Sequence, residues 1–172
     1  AYGLSNCIRL DLVVNNLTSS AFATKQVRLL SDGTSWRPLV HVNDMSNAFI
    51  LVLNSSLAKI NGETFNVGSN EENYTVREIA ENVEKIVPNS KITYGDNASK
   101  DERSYRVNFN KIKTQLGFKT TWTLEKGIEN IYKNLKERNF SEKEFNDKKY
   151  YRLKYIKWLI ENQKLDTNLF TI

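Results

Sequence analysis

Cysteine, histidine and proline are nearly missing from this sequence of 172 residues. The single cysteine, Cys7, cannot close an internal disulfide or build a cysteine-rich zinc site, which fits a reducing compartment. The single histidine, His41, excludes a histidine-cluster metal centre, so no metal ligands are expected. No apolar run approaches the about 18 residues of a membrane span; the longest stops after a handful near residues 49–53. No basic-then-apolar leader opens the sequence, and the expected setting is cytoplasmic. Only 7 glycines occur, none spaced as a dinucleotide or mononucleotide loop. No Ser, Cys or carboxylate stands in a nucleophile signature such as G-x-S-x-G.

What is present reads as an ordinary globular chain. An apolar fraction of 40% against a charged fraction of 26% argues against disorder, and the length suffices to bury a core. Lys and Arg number 25 against 20 acidic residues, a net charge of +5. The excess gathers towards the C-terminus, at Lys148, Lys149 and residues 152–157. A nucleic-acid site would need it concentrated on one surface. A solvated basic helix face is the plainer reading.

Periodicity divides the chain into short strands and helices. Asp11 is placed to cap a helix running towards Lys25, followed by a strand over 27–30 and a turn at Ser31-Asp32-Gly33. Pro38 precedes a second strand over 39–42. Asn43 or Asp44 would then cap a helix with Met45, Ala48, Phe49, Val52 and Leu53 inward. Asn61-Gly62 turns into a strand over 63–67. Thr75-Val76-Arg77-Glu78 is a capping box, and Pro88 ends the helix it opens. Residues 91–94 form a strand and 96–100 a polar loop; Gly117 closes a short helix. Thr123 caps a helix with Leu124, Ile128, Ile131 and Leu135 inward. Residues 138–149 read as a polar tether and 150–172 as a helical extension carrying Tyr151, Tyr155, Trp158 and Leu159 on one stripe. Helices alternating with short strands give an α/β class.

The residues suited to chemistry are Asn15, Asn16, Arg37, Asp101, Arg103, Tyr105 and Arg106. Arg37 sits between Trp36 and Pro38, and a guanidinium so held can meet two phosphate oxygens at once. A surface arginine stacked on Trp36 is the alternative. Residues 101–106 place two guanidiniums beside two carboxylates, which serves either an anion clamp or local ion pairing. His41 is expected to be a satisfied core histidine. Tyr150 and Lys154 stand in Y-x-x-x-K spacing, one helical turn apart, in a segment where lysines and aromatics make a chance match easy.

Several motifs occur in a telling order: Tyr2-Gly3-Leu4-Ser5, Asp11-Leu12-Val13-Val14-Asn15-Asn16-Leu17, Asp32-Gly33-Thr34-Ser35-Trp36-Arg37-Pro38, Val40-His41-Val42-Asn43-Asp44, Phe65-Asn66-Val67-Gly68 and residues 101–107. Over residues 1–137 this resembles the C-terminal half of an extended short-chain dehydrogenase/reductase of the NAD-dependent epimerase/dehydratase group, enzymes of nucleotide sugars. The resemblance implies the C-terminal part of a Rossmann-like fold, mainly its substrate-binding lobe, with 63–67 a strand of the Rossmann sheet. It implies a nucleotide-diphosphate-sugar site formed by Asn16 and Leu17 at the diphosphate, Arg28 and Leu30 at the base, Arg37 on the diphosphate, and Asp101 and Arg103 on ribose and phosphate. Tyr2 and Gly3 would flank the nicotinamide.

The family's Gly-rich loop and its catalytic Tyr and Lys precede the motifs found here, and no counterpart occurs in these residues. Tyr150 and Lys154 follow the family's last core helix and do not replace that pair. No catalytic residue is therefore expected, and NAD or NADP would belong to the intact enzyme rather than bind tightly here. The expected partners are a nucleotide sugar and either a missing N-terminal half or a second copy. A fragment should also expose apolar surface near Met45 and Phe65. The alternatives are a non-catalytic remnant or partner-binding fragment, and a small basic nucleic-acid-binding domain.

Overall fold

The structure, a computed structural model, describes residues 1–6, 8–99 and 103–171. The first helix, α1 (Val13–Thr24), starts one residue later than Asp11 would dictate as a cap. Asp11 instead accepts two hydrogen bonds from the Arg9 guanidinium (3.0 and 2.8 Å), and Leu12 takes the cap position without a side-chain bond. β1 (Gln26–Ser31) buries Val27 and Leu29 and turns Arg28 and Leu30 outward, the alternation of a half-buried strand.

β2 (Trp36–Pro38) lies just before the strand expected over 39–42. Residues 39–42 are held by backbone bonds instead, Tyr2 N to Val40 O (3.0 Å) and Val42 N to Tyr2 O (2.8 Å). α2 (Val42–Leu53) is capped by His41, whose Nδ1 accepts from Asn43 N, and not by Asn43 or Asp44. Its expected inward stripe is also displaced. Ala48 is buried, but Phe49, Ile50 and Leu53 face outward, as does Leu57 on α3 (Leu57–Ile60).

Residues 63–67 carry no strand, although the side chains alternate as a strand would: Phe65 and Val67 pack against Ala48, Ile112 and Phe118. Among the described residues no neighbouring strand supplies the ladder that would complete one.

A 3-10 turn leads to β3 (Asn73–Thr75), which pairs antiparallel with β2, Arg37 opposite Tyr74. α4 (Val76–Ile86) begins with the expected capping box, Thr75 Oγ1 accepting from Glu78 N and Glu78 Oε2 from Thr75 N. The carbonyls of Ser35 and Gly33 take the N–H groups of Val76 and Arg77, so the turn after β1 seats on this helix N-terminus. β4 (Lys91–Ser99) runs through what was expected as a loop and pairs parallel with β1, Val27 opposite Ile92. α4 forms part of the long crossover that a parallel pair requires.

α5 (Asn110–Leu116) ends at Gly117 with φ +70°, and α6 (Leu124–Glu137) is capped by Thr123, both as expected. The core is formed where α1, α4 and α6 pack on β1, around Leu10, Val14, Leu29, Ile79, Ile128 and Leu135. Residues 138–149 are folded rather than a loose tether. α7 (Glu142–Phe145) has its own capping box from Ser141 and Glu144, and a 3-10 turn (Lys148–Tyr150) follows. Phe140 and Tyr150 are buried in the core, and these two apolar anchors hold the polar residues between them to the surface. α8 (Arg152–Glu161) is the last helix among the described residues. No helix among the described residues is long and apolar enough to cross a membrane.

Candidate functional site

β1 turns Arg28 and Leu30 away from the core, and a cleft of about 1110 Å³ opens over that face. Leu12, Val13, Asn16 and Leu17 at the start of α1 form one wall. Arg37 on β2 and Val76 at the start of α4 form another. Arg103 and Tyr105, from the segment after β4, close a third side, and Tyr151 and Lys154 close the last. Asn16, Leu17, Arg28, Leu30, Arg37 and Arg103, all singled out from sequence, thus share one cavity. Asp101 lies outside the described residues.

Side-chain contacts hold the third side to β2. The Arg37 guanidinium donates to the carbonyls of Trp36 (2.8 Å) and Arg103. Trp36 N donates to Ser104 Oγ (3.0 Å), and the Arg106 guanidinium lies 4.4 Å over the Trp36 ring. The arginine stacked on Trp36 is therefore Arg106, and Arg37 lines the cleft. Asn16 spends its amide on Leu10 O (2.7 Å), and its backbone N–H is taken by Leu12 O. Asn15 is structural: its buried amide bonds the N–H and carbonyl of Gly3 and the carbonyl of Arg9.

Among the described residues lining the cleft, Arg28, Arg37, Arg103 and Lys154 stand with one carboxylate, Asp11. Hydrogen bonding to Arg9 holds Asp11 below the usual carboxylate range, so that acid is already neutralised. Among the described residues the lining thus carries more cations than carboxylates in a concave, partly apolar setting, an arrangement suited to a phosphorylated ligand.

Tyr2 and Gly3 do not line this cleft. Tyr2 is buried, its hydroxyl donating to Thr123 O (3.1 Å), and burial raises its pKa. Gly3 has φ +119°, and a Cβ there would collide with His41. His41 is a core histidine, its ring stacked 3.8 Å from Trp122, but not the fully satisfied one expected, since its buried Nε2 has no hydrogen-bond partner among the described residues.

The Y-x-x-x-K pair is divided by the fold. Tyr150 is buried, accepting a hydrogen bond from Arg138 Nη2 (3.1 Å), whereas Lys154 reaches the cleft beside Tyr151. Sequence reasoning left Tyr151 and Lys154 out of the site. The available signal was the cluster of lysines and aromatics at 148–158, which spacing alone does not direct towards β1.

Residues 4–68 match the family model described as NAD dependent epimerase/dehydratase family. In sequence the chain is similar to UDP-glucuronic acid decarboxylase 4 of Arabidopsis thaliana, 26% identical over 140 residues that cover 81% of this chain and 30% of that protein. It is also similar to dTDP-glucose 4,6-dehydratase of Shigella flexneri, 30% identical over 117 residues, 63% of this chain and 32% of that protein. Among solved structures, dTDP-glucose 4,6-dehydratase from Bacillus anthracis in complex with NAD matches with a TM-score of 0.63 at 22% identity, over 85% of this chain and 43% of that one. UDP-glucuronic acid 4-epimerase from Bacillus cereus, solved with UDP-glucuronic acid and NAD, matches at 0.66 and 22% identity, over 80% and 43%. The chain spans less than half the length of each of these proteins. Its fold is the mixed α/β, Rossmann-like fold of extended short-chain dehydrogenase/reductase structures.

Proposed function

We propose that this chain forms the nucleotide-sugar-binding portion of an epimerase/dehydratase-type enzyme. The observation that carries the reading is the cleft, where Arg28, Arg37 and Arg103 converge from three separate segments on one concave surface. Its volume is on the order of a ligand site, about 300–1,000 Å³ in general and larger when open to solvent. In this reading Arg37 and Arg103 neutralise the diphosphate, whose charge needs cations in a partly dry cleft. Arg28 and Leu30 border the base, and Asn16 and Leu17 line the wall beside the phosphates.

The matched family is described by its dependence on NAD, and the glycines among the described residues do not supply a cradle for that dinucleotide. Where a Cβ would collide, at Gly3, Gly68 and Gly127, it meets the chain's own side chains, so no glycine opens a backbone cradle for pyrophosphate. The reading gives this chain no step in the cofactor's chemistry. Its part is to bind and orient the sugar nucleotide, in a cytoplasmic setting. The dinucleotide-binding part would come from polypeptide beyond these residues. Residues 63–67 and the exposed apolar row of Phe49, Ile50, Leu53 and Leu57 are then the surface that meets it.

Calorimetric titration with UDP-, dTDP-, GDP- and CDP-sugars tests the reading. At least one is expected to bind, and Arg37→Gln is expected to weaken it about tenfold or more, the value of a charge-assisted contact. Binding of none of the four, or stronger binding to single-stranded RNA or DNA, would overturn it.

A further inference from the structure

The C-terminal segment is fastened to the cleft by its backbone. Leu10 N donates to Tyr150 O (2.9 Å), which brings the start of α8 alongside the start of α1. Tyr150 is buried, and the Tyr151 hydroxyl donates to Phe145 O (2.8 Å), so the turn that aims α8 is anchored on both sides. These contacts place Tyr151 and Lys154 on the cleft wall.

The lysines of this segment have different surroundings. Lys148 lies 4.4 Å over the Trp158 ring, and Lys149 pairs with Asp147 (3.5 Å). Lys154 Nζ stands 4.3 Å over the Tyr151 ring and, among the described residues, has no carboxylate within ion-pair distance. An aromatic face orients an ammonium without using its N–H donors. Asp11, the acidic side chain among the described residues lining the cleft, is held by Arg9. Lys154 is thus a pre-oriented cation with its donors available at the site of an anionic ligand.

We infer that Lys154, delivered by α8 and oriented by Tyr151, is a further ligand-binding cation of the cleft, contacting a phosphate of the bound nucleotide. The inference rests on the nucleotide-sugar reading above and extends the site into residues 150–172. It gives the folded 138–149 segment a purpose, which is to carry a phosphate contact back to the opposite end of the chain.

Titration of the full 172-residue chain with UDP, dTDP, uridine and thymidine separates the two claims. Lys154→Gln is expected to raise the dissociation constant of the diphosphate that binds by about 5- to 30-fold, with Lys154→Arg recovering most of the loss. Lys157→Gln removes the same charge from the exposed part of α8 and is expected to change it less than twofold. Nucleoside binding, which involves no phosphate, should not distinguish the variants. If Lys154→Gln binds the diphosphate as well as the unaltered chain does while Arg37→Gln does not, the role of Lys154 fails and the nucleotide reading stands. If Lys154→Gln and Lys157→Gln lose affinity equally, Lys154 acts only through general charge and the inference fails. If the unaltered chain binds neither diphosphate, both claims fall. Thermal melting of each variant confirms that the fold is intact.

Discussion

Asp44 is almost fully buried in the first turn of α2, where its carboxylate accepts from Thr121 N (3.0 Å), Thr121 Oγ1 (2.8 Å) and Trp122 N (3.0 Å). It ties α2 to the start of α6 across 77 residues of sequence. Asp44→Ala strands these donors and is expected to cost about 2–4 kcal/mol in urea unfolding. A loss below about 0.5 kcal/mol, the scale of an ordinary surface change, would contradict the role. Sequence reading found the right residue and gave it a local capping duty, because a partner so distant leaves no trace in spacing.

Glu72, just before β3, is buried. Burial pushes its carboxyl up to about 7 from an ordinary value of 4.5. Between those values the folded state binds more protons than the unfolded chain. Its contribution is therefore fully favourable below the unfolded value and is lost as pH rises through about 7. Glu72→Gln is expected to equal the unaltered chain near pH 4 and to exceed it by about 1–3 kcal/mol above pH 8. The lowered pKa of His41 adds an opposite slope to both proteins and cancels in the difference. A pH-independent difference in melting temperature would contradict the assignment.

α4 and α6 were legible because their signals are local. A capping box or a threonine cap, followed by apolar positions at helical spacing, states both the start and the inward face. α2 carries an equally regular pattern, yet its row is largely exposed, since periodicity shows that a face is apolar without showing what covers it. The segment 138–149 was misread for the opposite reason. Its polar residues outnumber its anchors, and one capping box plus Phe140 is enough to fold it against the core.

Close approach within the core was equally hidden. Gly127, inside α6, lies against the Tyr2 ring, and a Cβ there would collide with it. Alanine at an exposed helix site gains about 1 kcal/mol over glycine. Gly127→Ala is nevertheless expected to destabilise by about 1–3 kcal/mol, because overpacking against a ring held by its hydroxyl to Thr123 outweighs propensity. A melting temperature raised by this substitution would show that Tyr2 moves aside without cost.

Across the whole molecule, the cleft gathers residues from position 10 to position 154, and its legibility was uneven. Arg37 stood out from its own neighbours, an arginine between an aromatic residue and a proline, and the motif order drew Arg28 and Arg103 to it. Nothing in local sequence shows that Tyr150 docks on Leu10, so the far wall of the site was not readable. The central claim is that one ligand occupies this cleft, and backbone amide chemical-shift mapping of the chain titrated with a UDP- or dTDP-sugar tests it most directly. Shifts are expected to cluster at residues 12–17, 28–31, 37, 103–105 and 151–154. Saturable shifts confined to the separate depression around Gly68, Phe109 and Lys119, or no saturable shifts at all, would contradict it.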